Sequence, residues 1–181
     1  PSTATEEFSE DFFTQYLALK RSGEPLDSSA QATLIANLSN KEFGGLSYKI
    51  YAERDIRTQP NTSTTTLHIF GNALAKIVVE NSRLQTEPEL LILERALQTN
   101  SKDELGKLDP ILAIYQTIIT QALALSVPES AVELELNLIN SLSALESSIR
   151  GMKRVFDDPV FSLRAITLYN SMRASPANSV T

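Results

Sequence analysis

The chain carries one histidine, His68, and no cysteine. Without a thiol, disulfides, zinc-thiolate sites and cysteine nucleophiles are excluded. With a single imidazole, a site that needs a histidine pair is excluded too, including the two Glu-x-x-His motifs of a ferritin-like di-iron centre. His68 stands in "TTTLHIFGN", beside Thr64, Thr65 and Thr66 and four residues before Asn72. A general base needs a nucleophile or an orienting carboxylate within reach, and the sequence pairs His68 with neither. A solvated or capping histidine near a helix start is the expected role.

The carboxylates are more numerous and could hold a divalent cation. Glu6, Glu7, Glu10 and Asp11 cluster in "EEFSED", which suits the positive end of a helix. Glu133 and Glu135 in "AVELELN" are two residues apart and point to different faces of a helix, so they cannot share an ion. No EF-hand spacing, phosphate loop, dinucleotide glycine motif or G-x-S-x-G elbow occurs. No catalytic, cofactor-binding or metal-binding residue is therefore assigned, and no cofactor is expected. Arg150, Lys153 and Arg154 have the spacing of one helical face near a C-terminus, followed by Asp157 and Asp158. With a formal net charge of −6 and scattered basic residues, a nucleic-acid surface is not expected. The small polar residues Asn137, Asn140, Ser141, Ser143, Ser147 and Ser148 remain. Some must fall between apolar stripes, where each needs a hydrogen-bond partner, and packing is expected of them before ligand binding.

The elements that would carry these residues follow from apolar spacing. Phe8, Phe12, Phe13, Tyr16, Leu17 and Leu19 predict a first helix ending at Gly23, and Leu34, Ile35 and Leu38 a short second one between Asp27 and Gly44. "LSYKIYAERDI" alternates with a period of two and predicts an extended crossing that packs Tyr48 and Ile50 against helices; an exposed edge that recruits a strand is the alternative. A polar loop follows, and then a helix from Ser63 or Thr64 through Leu67, Phe70, Leu74, Ile77 and Val78, with Gly71 marking a close backbone approach. Thr86 is expected to cap a helix that buries Leu90, Leu91, Leu93 and Leu97. Ser101 and Glu104 have capping-box spacing, and a break near Leu108 precedes the helix of Ile111, Leu112, Tyr115, Ile118, Ile119, Ala122 and Leu125.

Leu125 to Pro128 reads as a turn into the longest helix, Pro128 to Phe156. There Leu134, Leu138, Leu142, Leu145, Ile149, Met152 and Phe156 form one stripe, and Val132, Leu136 and Ile139 a second. A helix apolar on two sides belongs in the centre of a bundle. Asp158 caps a last helix at Pro159 that buries Phe161, Leu163, Ile166, Leu168 and Tyr169. The fold class is all-α: a single helical bundle of about six or seven helices with one extended crossing segment, spanning residues 1–174, with 175–181 as a flexible tail.

The segments "IFGNALAKIVVENS" and "KLDPILAIYQ…LRAITLYN" resemble a family of uncharacterised helical proteins from Parcubacteria and related ultrasmall bacteria. The likeness lies in Gly71-Asn72, in Leu125 to Pro128, in Gly151 to Lys153 and in Asp158-Pro159, and covers residues 44–170. It implies a non-enzymatic helical domain of an envelope-associated protein that binds protein partners, in a pilus or secretion assembly. No catalytic residue comes with it. It also implies an extracytoplasmic location and attachment to the membrane through a segment preceding Pro1, since no run in the chain approaches the roughly 18 apolar residues of a span. The alternatives are a cytoplasmic adaptor, or a ligand-binding or enzymatic bundle in which His68, Asn72, Tyr115 and Asn140 converge on a pocket.

Overall fold

The structure, a computed structural model, describes residues 3–22 and 46–174. The expected helix between Asp27 and Gly44, the stop at Gly23 and the 175–181 tail lie outside the described residues. Six α-helices are described: α1 Ala4–Ser22, α2 Thr64–Ser82, α3 Glu89–Thr99, α4 Leu108–Leu123, α5 Val132–Met152 and α6 Pro159–Ala174. The protein is all-α in architecture. Its one sheet among the described residues is a parallel pair, β1 Arg57–Gln59 on β2 Ser126–Pro128, with Thr58 opposite Val127.

Helix ends are set by residues that satisfy the first free N–H groups. Thr3 and Glu6 form a reciprocal capping box at α1, Thr3 N–H donating to Glu6 Oε2 and Glu6 N–H to Thr3 Oγ1. Ser63 caps α2 by accepting from Thr66 N–H. Thr86 does not cap α3; Pro88 holds that position and brings no side-chain bond. α3 ends on Asn100 at φ 49°, a left-handed residue whose N–H returns to the last turn. A 3-10 turn, Asp103–Lys107, runs into α4 at Leu108, so the expected break is a tightening of the helix. The capping-box spacing of Ser101 and Glu104 is not used there, since Lys102 precedes the turn and makes no side-chain cap.

α5 lies between α4 and α6, as expected of a central helix, though it runs Val132–Met152 and not from Pro128 to Phe156. The residues before it are not a simple turn: Ser126–Pro128 pair as β2 and a 3-10 turn, Glu129–Ala131, follows. The main core joins α3, α4, α5 and α6 through residues such as Ile92, Leu108, Leu112, Ile149, Met152 and Tyr169. A smaller cluster, with Ile56, Phe70, Leu74, Val127, Ala131 and Ile139, seats α2 and the strands. A third places Phe8 and Phe12 of α1 on Val160 and Phe161, beside buried Ala4.

Several apolar expectations are corrected. α3 buries Ile92, Leu93 and Ala96 while Leu90, Leu91 and Leu97 are exposed, because the stripe that meets the core begins with an acid, Glu89. On α5, Leu134 is 63% exposed, and on α6, Leu163 is 62% exposed in a helix that buries Ser162, Ala165 and Tyr169. Gly71 is exposed with open space around it. The close approach is at Gly151 instead: a Cβ there would lie 2.5 Å from Ala165 Cβ and 3.3 Å from Phe161 Cε1. Bare backbone at Gly151 lets α6 lie against α5.

Candidate functional site

The extended segment from Leu46 to Ala52 forms no ladder; a helix side holds it. Ser147 Oγ donates to Ser47 O at 2.9 Å and Ser143 Oγ to Lys49 O at 2.7 Å. Asn140 closes the row, its Nδ2 donating to Tyr51 O at 3.0 Å and its Oδ1 accepting from Tyr51 N–H at 2.7 Å. Two residues of extended chain advance about 6.6 Å, and one helical step of three or four advances about 4.5–6 Å. A polar stripe at steps of three and four on α5 thus meets every second carbonyl of a strand running antiparallel to it. Asn140, Ser143 and Ser147 are thus spent on main-chain groups, as is Ser148, which donates to Leu145 O; Asn137 is exposed.

Among the described residues nothing pairs with the other edge of the strand. In extended backbone, N–H and C=O of one residue point to one edge and those of the next to the opposite edge. Residues 47, 49 and 51 turn theirs to α5, and the main-chain groups of Leu46, Tyr48 and Ile50 have no hydrogen-bond partner among the described residues. Ile50 does not pack inward as expected: it is 69% exposed, while Tyr51 reaches the smaller cluster. Leu46 and Tyr48 are half-buried and, with Arg164, Thr167, Leu168 and Ser171 of α6, line an open groove of about 420 Å³. Arg164 is itself engaged. A strand edge on one wall and a helix on the other is the form of a groove that accepts an extended peptide.

The other residues singled out from the sequence lie apart. His68 and Asn72 are exposed on α2 in a shallow recess with Thr64, Leu67 and Gly71. Tyr115 is bonded to Glu89 and Asn140 to Tyr51, so the four do not converge on one pocket. Among the described residues no three or more His, Asp or Glu side chains are grouped to hold a metal ion. Glu133 is exposed and Glu135 buried, on different faces as their spacing requires. Arg150 pairs with Glu146, Lys153 with Asp109 and Arg154 with Asp158.

Two buried carboxylates were not legible as such. Glu89, at the first position of α3, accepts from Tyr115 Oη at 3.0 Å and Tyr169 Oη at 2.9 Å, and Arg173 donates to Tyr169 Oη. Burial, and next the Glu89 charge, hold both phenols above the usual tyrosine range, Tyr169 at about 12. Asp158 caps α6 through Phe161 N–H as expected, and also receives Ala4 N–H, Thr5 N–H and Thr5 Oγ1 from α1 and Arg154 Nη2. Burial pushes its carboxyl up, but the hydrogen bonds from Thr5, Ala4 and Phe161 outweigh that and hold it below the usual carboxylate range. One carboxylate thus closes the positive ends of two helices. Among the described residues, the groove beside Leu46 and Tyr48 combines unused main-chain groups with accessible space. No protein-family model matches the chain, and neither a curated protein nor a solved structure matches it.

Proposed function

We propose that the protein is a non-catalytic binding module that takes an extended peptide segment of a partner protein along the Leu46–Ile50 edge. The observation that carries this reading is the pairing of unused main-chain groups at Leu46, Tyr48 and Ile50 with the groove against α6. The added strand would take its affinity from main-chain bonds and its selectivity from side chains seated against Leu46, Tyr48 and Leu168. In the envelope setting that the family resemblance implies, the partner is another component of a surface assembly, and attachment to the membrane is through a segment outside this chain. Among the described residues no helix is long and apolar enough to cross a membrane.

The test uses Ile50→Pro, which removes the outward N–H. Residues 47, 49 and 51 keep their bonds to α5, and the preceding residue is already extended, as proline requires. Peptides selected from a random library on the immobilised wild-type protein are expected to shift the amide resonances of residues 46–50 and of α6. They are expected to bind Ile50→Pro about three- to tenfold more weakly, as the loss of one main-chain bond predicts, and Ile50→Thr normally. Failure to enrich any peptide, or equal binding to Ile50→Pro, overturns the proposal.

A further inference from the structure

Glu135 is fully buried, and neither of its carboxylate oxygens has a hydrogen-bond partner among the described residues. It stands on α5 between Ala131 and Ile139 at steps of four, so the three share one face. Ala131 and Ile139 belong to the smaller core cluster, with Ile56, Phe70, Leu74 and Val127. A carboxylate without donors in such a setting is costly when ionised and tolerable when neutral. The groups that could offset its charge are engaged elsewhere or stand in solvent. On α2, His68, Lys76 and Glu80 are exposed, the last two as a pair. Arg57 on β1 and Glu53, Arg54 and Asp55 before it are exposed. On the extended segment, Lys49 lies over the Tyr51 ring. On α4, Asp109 pairs with Lys153 and Tyr115 is bonded to Glu89. On its own helix and the turn before it, Glu129 and Glu133 are exposed. Burial alone pushes the Glu135 carboxyl up, to about 7.

The weakest member of the same cluster is α2. Only Phe70, Leu74 and Asn81 of its 19 residues are buried, and its polar tie to the body is Asn81 Nδ2 donating to Gln121 Oε1. We propose that Glu135 is a buried protonation switch: neutral, it fits beneath α2; ionised, it draws water into the smaller cluster and loosens α2, while the main core stays closed. The main core is independent in composition, being built from α3 to α6.

Hydrogen exchange of the α2 amides, corrected for the intrinsic pH dependence of exchange, tests this on the intact protein. If opening exposes Glu135 to water, protection of residues 67–81 is expected to fall about 30-fold between pH 5.5 and 8.5, following the linkage between the exposed and buried carboxyl. Amides near Ile149 and Met152 are expected to change far less, and Glu135→Gln to abolish the change in α2. A carboxyl 13C titration of the wild type needs no variant, and is expected to show one glutamate with its midpoint well above the others. Equal α2 protection at both pH values, the same fall in Glu135→Gln, or a Glu135 midpoint in the ordinary range overturns the switch.

Discussion

At the scale of single residues, Asn81, Glu89, Asp158 and Ser162 are buried polar joints between helices. Glu89 shows this most clearly, because its two oxygens take one phenol from α4 and one from α6. Removing either hydroxyl leaves a buried carboxylate oxygen short of a donor, which costs about 1–3 kcal/mol. Tyr115→Phe and Tyr169→Phe are therefore each expected to lower stability by that amount in urea denaturation. The Glu89 charge also opposes ionisation of both phenols. Glu89→Gln is expected to move their absorbance titration toward lower pH, and an unchanged titration would show that burial acts alone.

At the scale of elements, the close packing of α5 on α6 depends on Gly151. An alanine methyl there meets Ala165 Cβ at 2.5 Å, so the helices must separate. Gly151→Ala is expected to cost about 1–3 kcal/mol by overpacking. Adding Ala165→Gly removes the opposing methyl and should recover part of that loss. A double variant no more stable than Gly151→Ala would place the strain at Phe161 instead. The strand-to-helix zipper makes a parallel case: Asn140→Ala orphans both main-chain groups of Tyr51 and is expected to cost about 1–3 kcal/mol, with faster amide exchange in residues 47–51. These elements also show what the sequence makes legible. The helices declare themselves by apolar spacing and by caps such as Ser63 and Asp158, whose chemistry is local. The face a helix buries is less legible where apolar residues surround it. On α3, Leu90, Leu91 and Leu97 lose the core to a stripe led by Glu89, and only the distant Tyr115 and Tyr169 make that burial tolerable. The β1–β2 pair was missed because three residues carry no detectable period, and β2 includes a proline. The extended segment was legible as a period of two from Leu46 to Tyr51, and its exposed edge only as the alternative to packing Tyr48 and Ile50 inward. Its tether was not, since the stripe Asn140, Ser143 and Ser147 acquires meaning only when the partner strand is known.

At the scale of the whole molecule, two buried carboxylates pull stability in opposite directions along the pH axis. Asp158 has its carboxyl held below the ordinary range by hydrogen bonds that outweigh burial. Its contribution is present above the unfolded carboxylate pKa and is lost as pH falls through the lower folded value. Glu135 has its carboxyl raised to about 7 by burial. Its contribution is complete below the unfolded value, near 4.5, and is lost as pH rises through about 7, a span worth about 3 kcal/mol. Their sum predicts a maximum of stability at ~pH 4.5, with a falling limb on each flank. Urea midpoints measured from pH 3 to 9 are expected, over the range of ~pH 4.5–7, to decline in the wild type and to stay level in Glu135→Gln. Asp158→Asn should reduce the acid limb, to which Glu87 and Glu104, held low first by their hydrogen bonds to Arg95, also contribute, and leave the neutral one unchanged. Because Asp158 holds Ala4 and Thr5 of α1 while Glu135 shares a helix face with Ala131 and Ile139 of the smaller cluster, the two limbs should also differ in place. Amide exchange should mark α1 as the first helix released in acid and α2 as the first released above neutrality, and the same helix opening at both ends would refute the division.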